Sequence, residues 1–318
     1  MIRGHGQHLT APIPVPRLRW AARLCRVLLL SVVVGLTGCV LEYSEEDLVR
    51  SMPAPAPSIS ELKSEFPSFD AVEERLRVAG DAELYVLRLI RRDAMATVLY
   101  FGGNAYRTGL MGGRTAASYL ALPVNLVLVD HRGYGASSGI PGIDALMADA
   151  LIVYDHLRAD QALAHLPLIV HGQSLGSFLA GHVAATRTLD GLVLESSVTS
   201  TEDWVAHARR QQPWWQRILV RRVDIAPELA GRGNLAVARQ FDEPVLFVVG
   251  ELDPLTPPEF SRALYEAAPL AKEHKELLVV PGVAHNDATA SPAFEDAMRD
   301  FVERVRGDWT DPERRGAP

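Results

Sequence analysis

The residue best placed to do chemistry is Ser174, at the centre of the pentapeptide G-Q-S-L-G over residues 172–176. An apolar run at 166–170 precedes it and small residues at 177–181 follow, which predicts a sharp turn from a strand into a helix. Glycines on both sides let the strand and the helix approach each other closely. Such a turn exposes the hydroxyl beside the first helical amides, whose partial positive charge favours an oxyanion. The pentapeptide therefore indicates a nucleophilic serine, with a plain glycine turn as the alternative.

A serine hydroxyl needs a base, and the base needs an acid that holds it in one tautomer. An apolar run typical of a buried strand ends shortly before Asp253, and the next such run ends shortly before His285. Taken singly, Asp253 could be a helix N-cap and His285 an exposed loop residue. Because serine, acid and histidine follow three strand ends in the required order, we predict a Ser174, Asp253, His285 triad. Glu251 is the alternative acid.

An oxyanion hole is the remaining part of such a site. One donor is predicted to be the backbone N–H of Leu175, directly after the nucleophile. A second donor should come from the loop after the β-rich run at 96–101. There Gly103 allows close approach to a ligand, and the N–H of Asn104 is the candidate donor. The alternative is an ordinary glycine turn.

These motifs resemble the alpha/beta-hydrolase superfamily over residues 80–306. The segment 130–139 is similar to the D-x-R-G-x-G-x-S-x-G loop that follows the fourth strand of that family. The segments 103–105 and 285–287 are most similar to the subgroup that contains acyl-protein depalmitoylases and related serine hydrolases, although Gly102 stands where that subgroup has histidine. The resemblance implies an α/β fold with a mostly parallel central sheet, helices on both faces and a small cap insertion.

The amino terminus carries a second signal. Four arginines lie within residues 17–26, directly before the apolar run at 27–36, and Thr37, Gly38 and Cys39 follow it. A basic flank, a short apolar core and small residues predict a secretory signal, since a spanning helix needs about 20 apolar residues. The sequence ending at Cys39 resembles the bacterial lipobox, which implies an acylated cysteine and an exported lipoprotein. Because Val40 is not aspartate, the resemblance implies the outer membrane, facing the periplasm; an uncleaved membrane anchor is the alternative.

Composition and segment boundaries complete the domain prediction. The expected order is a signal peptide (1–38), a Pro/Ala-rich extended tether (39–62), a hydrolase domain (63–307) with a cap (197–240), and a disordered tail (308–318). Residues 1–38 hold five arginines and no acidic residue, so their removal takes the formal charge from −7 to −12. An acidic surface argues against nucleic acid, or an anionic membrane bound through a basic patch.

The predicted cap is rich in tryptophan and arginine. Trp204 and Trp214 are interpreted as an apolar lid over a substrate acyl group, with Gly103 also at the substrate. The alternative is that the tryptophans pack the cap onto the core and the arginines face solvent. His131, His171 and Arg132 are interpreted as structural loop residues, the histidines bonded to backbone and the arginine to a carboxylate. No metal-binding spacing is present, so no cofactor is expected.

Together these features predict a serine hydrolase acting on a small-molecule carboxylic ester or thioester. An aminopeptidase-like amide hydrolase is the alternative within the enzyme class, with Glu202 or Asp203 in the cap as candidate partners for a substrate ammonium. A non-catalytic envelope binding module of the same fold is the alternative from another class. An intact triad counts against that module, because binding alone does not need all three residues.

Overall fold

The structure is a computed structural model that describes residues 39–310. The described chain divides into two compact units. The smaller consists of residues 39–41 and 212–224, and the larger of residues 42–211 and 225–310.

Strands account for the centre of the larger unit. In chain order the strands are β1 (Cys39–Tyr43), β2 (Met52–Pro53), β3 (Asp70–Val78), β4 (Ala82–Ile90), β5 (Ala96–Phe101), β6 (Val124–Val129), β7 (Tyr134–Gly135), β8 (Leu168–Gln173), β9 (Gly191–Glu195), β10 (Val220–Ile225), β11 (Val245–Gly250) and β12 (Lys275–Val280). Eight of them form one sheet in the order β12-β11-β9-β8-β5-β6-β4-β3. The pairs from β6 to β12 are parallel, while β4 runs antiparallel to both β6 and β3. β1 and β10 form a separate two-stranded sheet.

The helices of the described chain connect these strands. They are α1 (Glu45–Leu48), α2 (Ile59–Glu65), α3 (Thr108–Tyr119), α4 (Ile143–Ala159), α5 (Leu175–Ala184), α6 (Thr201–Gln211), α7 (Trp214–Leu219), α8 (Leu235–Ala238), α9 (Pro258–Ala267) and α10 (Pro292–Thr310). Within residues 39–310, no helix combines the length and the apolar character needed to cross a bilayer.

Alternating side chains of the sheet pack into two apolar cores. Leu99 of β5 belongs to the core that α4, α5 and α9 cover, whereas its neighbour Val98 belongs to the core covered by α3 and α10. Because successive side chains of a strand point to opposite faces, a strand buried on both faces is a continuous apolar run. The predicted fold class, a mostly parallel sheet with helices on both faces, is therefore confirmed.

The segment predicted to be an extended tether is instead folded. Residues 39–62 contribute two short strands and the start of α2, and Val49 and Leu62 are buried. β2 pairs in parallel with β7, with the amides of Met52 and Ala54 donating to Gly133 O and Gly135 O, each at 2.8 Å. Pro53 lies between them and has no N–H to donate. Because alternate amides of a strand point to opposite sides, the pairing with β7 does not lose a hydrogen bond at Pro53.

Other predicted boundaries also differ. The predicted cap (197–240) is not one body: residues 212–224 belong to the smaller unit, and the rest belongs to the larger. The predicted tail starts too early, because α10 continues to Thr310. The predicted signal (1–38) and the remainder of the tail (311–318) lie outside the described residues.

Candidate active site

Four loops meet at the carboxyl edge of the parallel strands. β5 leads to Asn104, β8 to Ser174, β11 to Asp253 and β12 to His285. The strands end nearly level, since Phe101 pairs with Gly172 in the sheet register. Parallel strands present their carboxyl ends on one side, which is why residues far apart in sequence share this edge.

The predicted strand-to-helix turn is present, and its backbone is strained. Ser174 has φ 52° and ψ −114°, a conformation that costs a non-glycine residue about 1–3 kcal/mol. Its amide donates to Glu195 O at 2.9 Å, which ties the turn to β9. A Cβ on Gly176 would lie 1.9 Å from Phe101 O, and one on Gly172 would lie 2.2 Å from Gly176 O. Both glycines are therefore required by the close packing of strand, turn and helix.

A chain of hydrogen bonds joins the three predicted triad residues. His285 Nε2 lies 3.0 Å from Ser174 Oγ, and His285 Nδ1 lies 2.8 Å from Asp253 Oδ2. Ser174 is half-buried, whereas Asp253 and His285 are buried. The alternative acid, Glu251, accepts a bond from the amide of Gly282 at 2.9 Å and so braces the turn after β12. The geometry thus places Asp253, and not Glu251, on the imidazole.

The carboxylate of Asp253 accepts several hydrogen bonds besides that of His285. The amides of Leu255 and Thr256 each donate to its Oδ1 at 2.9 Å, and the Thr256 hydroxyl donates to Oδ2 at 2.7 Å. Burial raises the pKa of the Asp253 carboxyl, but the hydrogen bonds and charge of His285 and the donors of Thr256 outweigh it, so the pKa lies below the ordinary value. The carboxylate is therefore ionised at neutral pH, as an imidazolium partner requires.

The loop that carries His285 has supports that the sequence did not reveal. The side-chain amide of Gln173 donates to Asn286 Oδ1 at 3.1 Å and to His285 O at 3.4 Å. The hydroxyl of Ser196 donates to the same carbonyl at 3.3 Å. Gln173 occupies a variable position of the pentapeptide, and Ser196 belongs to no motif. No sequence signal marked Gln173 or Ser196. Thr256 could have been found, because a threonine three residues after an aspartate fits a local side-chain capping pattern.

The two predicted oxyanion donors flank the serine. Leu175 is the first residue of α5, so its N–H has no acceptor within the helix. Gly103 lies against the nucleophile, since a Cβ built on it would be 3.2 Å from Ser174 Cβ. The Asn104 amide forms no hydrogen bond with any described residue, while its side chain accepts one from Tyr134 Oη at 3.0 Å. Both amides are thus available to a ligand.

Gly102 stands where the depalmitoylase subgroup has histidine, and the reason is steric. A Cβ on Gly102 would lie 2.1 Å from Cγ of the buried Tyr106, so the subgroup's histidine does not fit here. His131 fixes this loop instead, with Nε2 2.8 Å from Gly102 O. Burial lowers the pKa of His131, so a neutral ring donates from Nε2 to the carbonyl. The predicted structural role of His131, bonded to backbone, is confirmed.

The other two predicted loop residues are also structural. Arg132 donates to both oxygens of buried Asp149, at 2.8 and 2.6 Å, which confirms its pairing with a carboxylate. His171 is fully buried, but its partners are side chains and not the predicted backbone groups. Its Nδ1 is bonded to Tyr119 Oη, and its Nε2 lies 3.2 Å from Glu195 Oε2.

A cavity of about 380 Å³ opens beside Ser174. Its walls are mostly apolar, formed by Tyr43, Leu48, Ile143, Leu175, Phe178, Val198, Trp204, Leu229 and Leu255. Gly103 and Trp204 line it, as the sequence predicted for substrate-binding residues. Trp214 belongs to the smaller unit, and its side chain is 73% exposed. Tyr43 and Leu48 come from the segment predicted to be a tether, and no sequence motif marked them.

The chain is similar in sequence and in fold to known proteins. The family model described as serine aminopeptidase, S33, matches residues 96–231. An uncharacterized protein of Mycobacterium tuberculosis is 32% identical over 210 residues, which cover 64% of this chain and 69% of that protein. Protein bem46 of Schizosaccharomyces pombe is 27% identical over 241 residues, which cover 74% and 76%. The solved structure of the Pyrococcus furiosus esterase Pf2001 has a TM-score of 0.62 at 17% identity, over 80% of this chain and 98% of that one.

One class of protein combines a mostly parallel sheet with a serine on a strand-to-helix turn, and the similarities point to the same class. The chain belongs to the alpha/beta-hydrolase superfamily. The matched family region contains Asn104 and Ser174 but ends before Asp253 and His285, so the assignment of those two residues rests on the geometry described above.

Replacing Thr256 tests whether its hydroxyl stabilises ionised Asp253. We expect Thr256→Val to lower the free energy of unfolding by about 1.5–3 kcal/mol at pH 7, the range for a hydrogen bond to a charged group. Thr256→Ser keeps the hydroxyl and should lose much less. Because the pKa of Asp253 is lowered by folding, the stabilisation is present above the unfolded value of about 3.9 and is lost as pH falls through the folded value.

Urea unfolding of the three proteins at several pH values measures this. The difference between wild type and Thr256→Val should shrink in acid. A Thr256→Val protein as stable as wild type, or a loss of stability that does not change with pH, would contradict the assignment of this stabilisation to the hydroxyl.

Proposed function

We propose that this protein is a serine hydrolase that cleaves carboxylic esters or thioesters through an acyl-enzyme on Ser174. The observation that carries the proposal is the hydrogen-bond chain from Ser174 through His285 to Asp253, which opens onto an apolar cavity. The Pyrococcus furiosus esterase with a similar fold supports the same reaction class.

The reaction follows from the geometry. His285 Nε2 removes the proton from Ser174 Oγ as that oxygen attacks the acyl carbonyl carbon. Asp253 holds the Nδ1 proton and stabilises the imidazolium. The amides of Leu175 and Asn104 donate to the tetrahedral oxyanion. His285 then gives its proton to the departing alcohol or thiol, and afterwards activates a water that releases the acid and restores the serine hydroxyl.

The cavity favours an acyl chain over a peptide amino terminus. Among the described residues that line it there is no carboxylate, and its charged side chain, Arg232, is bonded to Asp144 at 2.6 Å. An apolar wall of this kind stabilises hydrocarbon by removing it from water. We therefore propose a substrate whose acyl group is itself apolar.

Amide hydrolysis is the second candidate, since the matched family model is described as a serine aminopeptidase. That reaction needs a group to pair with the substrate ammonium. Glu202 accepts a bond from the amide of Gly231 at 2.6 Å, and Asp203 accepts one from the Thr199 hydroxyl at 2.5 Å. Neither candidate carboxylate lines the cavity. The ester or thioester reaction is for that reason the preferred one.

Removal of the nucleophile tests the proposed chemistry. A fluorophosphonate probe should label Ser174 covalently, and Ser174→Ala should lose labelling and about 10⁶-fold in turnover of a p-nitrophenyl ester. Ser118→Ala, in α3, serves as the control and should keep the label, because the Ser118 hydroxyl donates to Arg114 O and not to a residue of the site. Mass spectrometry of the labelled peptide identifies the site. A folded protein that neither labels nor hydrolyses any such ester would support the binding-module alternative.

The assignment of the acid has its own matched pair. Asp253→Asn should reduce turnover by about 10⁴-fold, because the histidine then takes the wrong tautomer. Glu251→Gln removes a carboxylate two residues away and should have a small effect, since Glu251 contacts Gly282 and not His285. Steady-state kinetics of both variants decide between them. A reversed order of effects would transfer the acid role to Glu251.

We also propose that the chain is an exported lipoprotein, acylated at Cys39 and anchored in the outer membrane facing the periplasm. The support is the sequence of residues 17–39, with its basic flank, apolar core and lipobox-like end. Two acyl chains on the mature terminus would anchor it stably, whereas one would bind only marginally.

The mature amino terminus tests this proposal directly. Mass spectrometry of the protein from its native host should find a lipid-modified residue Cys39 at the start of the chain. Cys39→Ser should abolish lipid attachment while ester hydrolysis by the protein is retained. An unmodified cysteine, or a peptide that extends back through Arg26, would contradict the proposal.

A further inference from the structure

The smaller unit carries an exposed apolar surface. In α7, the side chains of Trp214, Trp215, Ile218 and Leu219 are 73, 49, 60 and 52% exposed, and no residue of this helix is buried. In β1, Val40 and Leu41 are 59 and 48% exposed. We call these six residues the apolar surface. Single exposed apolar side chains are ordinary, but several of them grouped on one short segment mark a surface that binds a partner or a membrane.

The helical part of this surface is one-sided. At about 100° per residue, the apolar positions of α7 span about 140° of the helix circumference. Gln216 and Arg217 lie on the remaining side. A helix with an aromatic-rich apolar face and a basic polar face is the pattern of elements that lie in the plane of a membrane interface.

The charge of the smaller unit is opposite to that of the molecule. Its described residues include three exposed arginines, Arg217, Arg221 and Arg222, and one acidic residue, Asp224, which forms an ion pair with Arg222. The whole chain has a formal charge of −7. The expectation that an acidic protein has no basic membrane-binding patch was based on net charge, but the structure concentrates positive charge beside the apolar surface.

We infer that the apolar surface docks onto an anionic lipid bilayer. Tryptophan rings favour the headgroup level, and arginines beside them would pair with anionic lipid headgroups. Chain continuity supports the same occupant, because Val40 and Leu41 of the apolar surface directly follow Cys39, the residue proposed to carry the lipid. Insertion would be shallow, about 5–10 Å into the headgroup and acyl boundary. The inference concerns attachment only, and it holds whether or not the protein hydrolyses esters.

The test uses the full chain bound to vesicles that contain brominated lipids, which quench nearby tryptophans. Two of the five tryptophans of the chain lie on the apolar surface. We expect bromines near the headgroup to quench more strongly than bromines near the end of the acyl chain. The double variant Trp214→Phe/Trp215→Phe should lose most of this shallow quenching. The control Trp309→Phe, in α10, should keep it.

A second experiment tests the contribution of the arginines to docking. In vesicles that contain phosphatidylglycerol, substitution of Arg217, Arg221 and Arg222 by Gln should lower the ratio of docked to undocked unit by about fivefold for each arginine. In pure phosphatidylcholine the same variant should behave as wild type does. Circular dichroism checks that each variant is folded, as expected for changes at exposed positions.

Three results would overturn the inference. One is shallow quenching that is equal in wild type and the double tryptophan variant. Another is shielding of Trp214 and Trp215 from aqueous iodide without lipid, which would mean that protein covers the surface. The third is lipid-independent dimerisation that the tryptophan substitutions abolish, which would make a second copy the occupant.

Discussion

The approach of Gly176 to the carbonyl of Phe101 is the contact on which the site depends. It brings the first turn of α5 against the end of β5, leaving no space for a side chain. That approach holds Ser174 in its strained conformation and sets the Leu175 amide beside the loop of Gly103 and Asn104. The strain is affordable because the turn is held by the sheet, with the Ser174 amide bonded to Glu195 O of β9.

The rest of the hydrogen-bond chain depends on buried charge that is fully paired. Asp253 is buried and accepts bonds from two amides, a hydroxyl and an imidazole. An unpaired carboxylate in that position would cost several kcal/mol, so the donors of Leu255 and Thr256 stabilise the ionised acid. The same logic explains the loop of His285, whose backbone carbonyl is held by Gln173 and Ser196. Hydrogen bonds between buried polar groups therefore position the loops of Asp253 and His285 at this edge of the sheet.

The cavity, in contrast, is a product of apolar packing between segments that are distant in sequence. Tyr43 and Trp204, whose ring centroids are 5.2 Å apart, come from the amino-terminal segment and from α6. The segment that contains Tyr43 and Leu48 is therefore part of the fold and lines the cavity beside Ser174.

The sequence by itself determined the strands that precede the site residues and the residues of the hydrogen-bond chain. Buried parallel strands are continuous apolar runs, and the chemistry follows each run at its carboxyl end, so Ser174, Asp253 and His285 could be found from spacing alone. Local steric rules also identified the glycines around the serine. Tertiary structure decided what no local pattern encodes. Asp253 and not Glu251 contacts the imidazole, Gln173 and Ser196 hold the loop of His285, and residues 42–62 are folded instead of extended. Trp204 and Trp214 look alike in sequence, yet one lines the cavity and the other is exposed, because burial depends on which distant segments pack together.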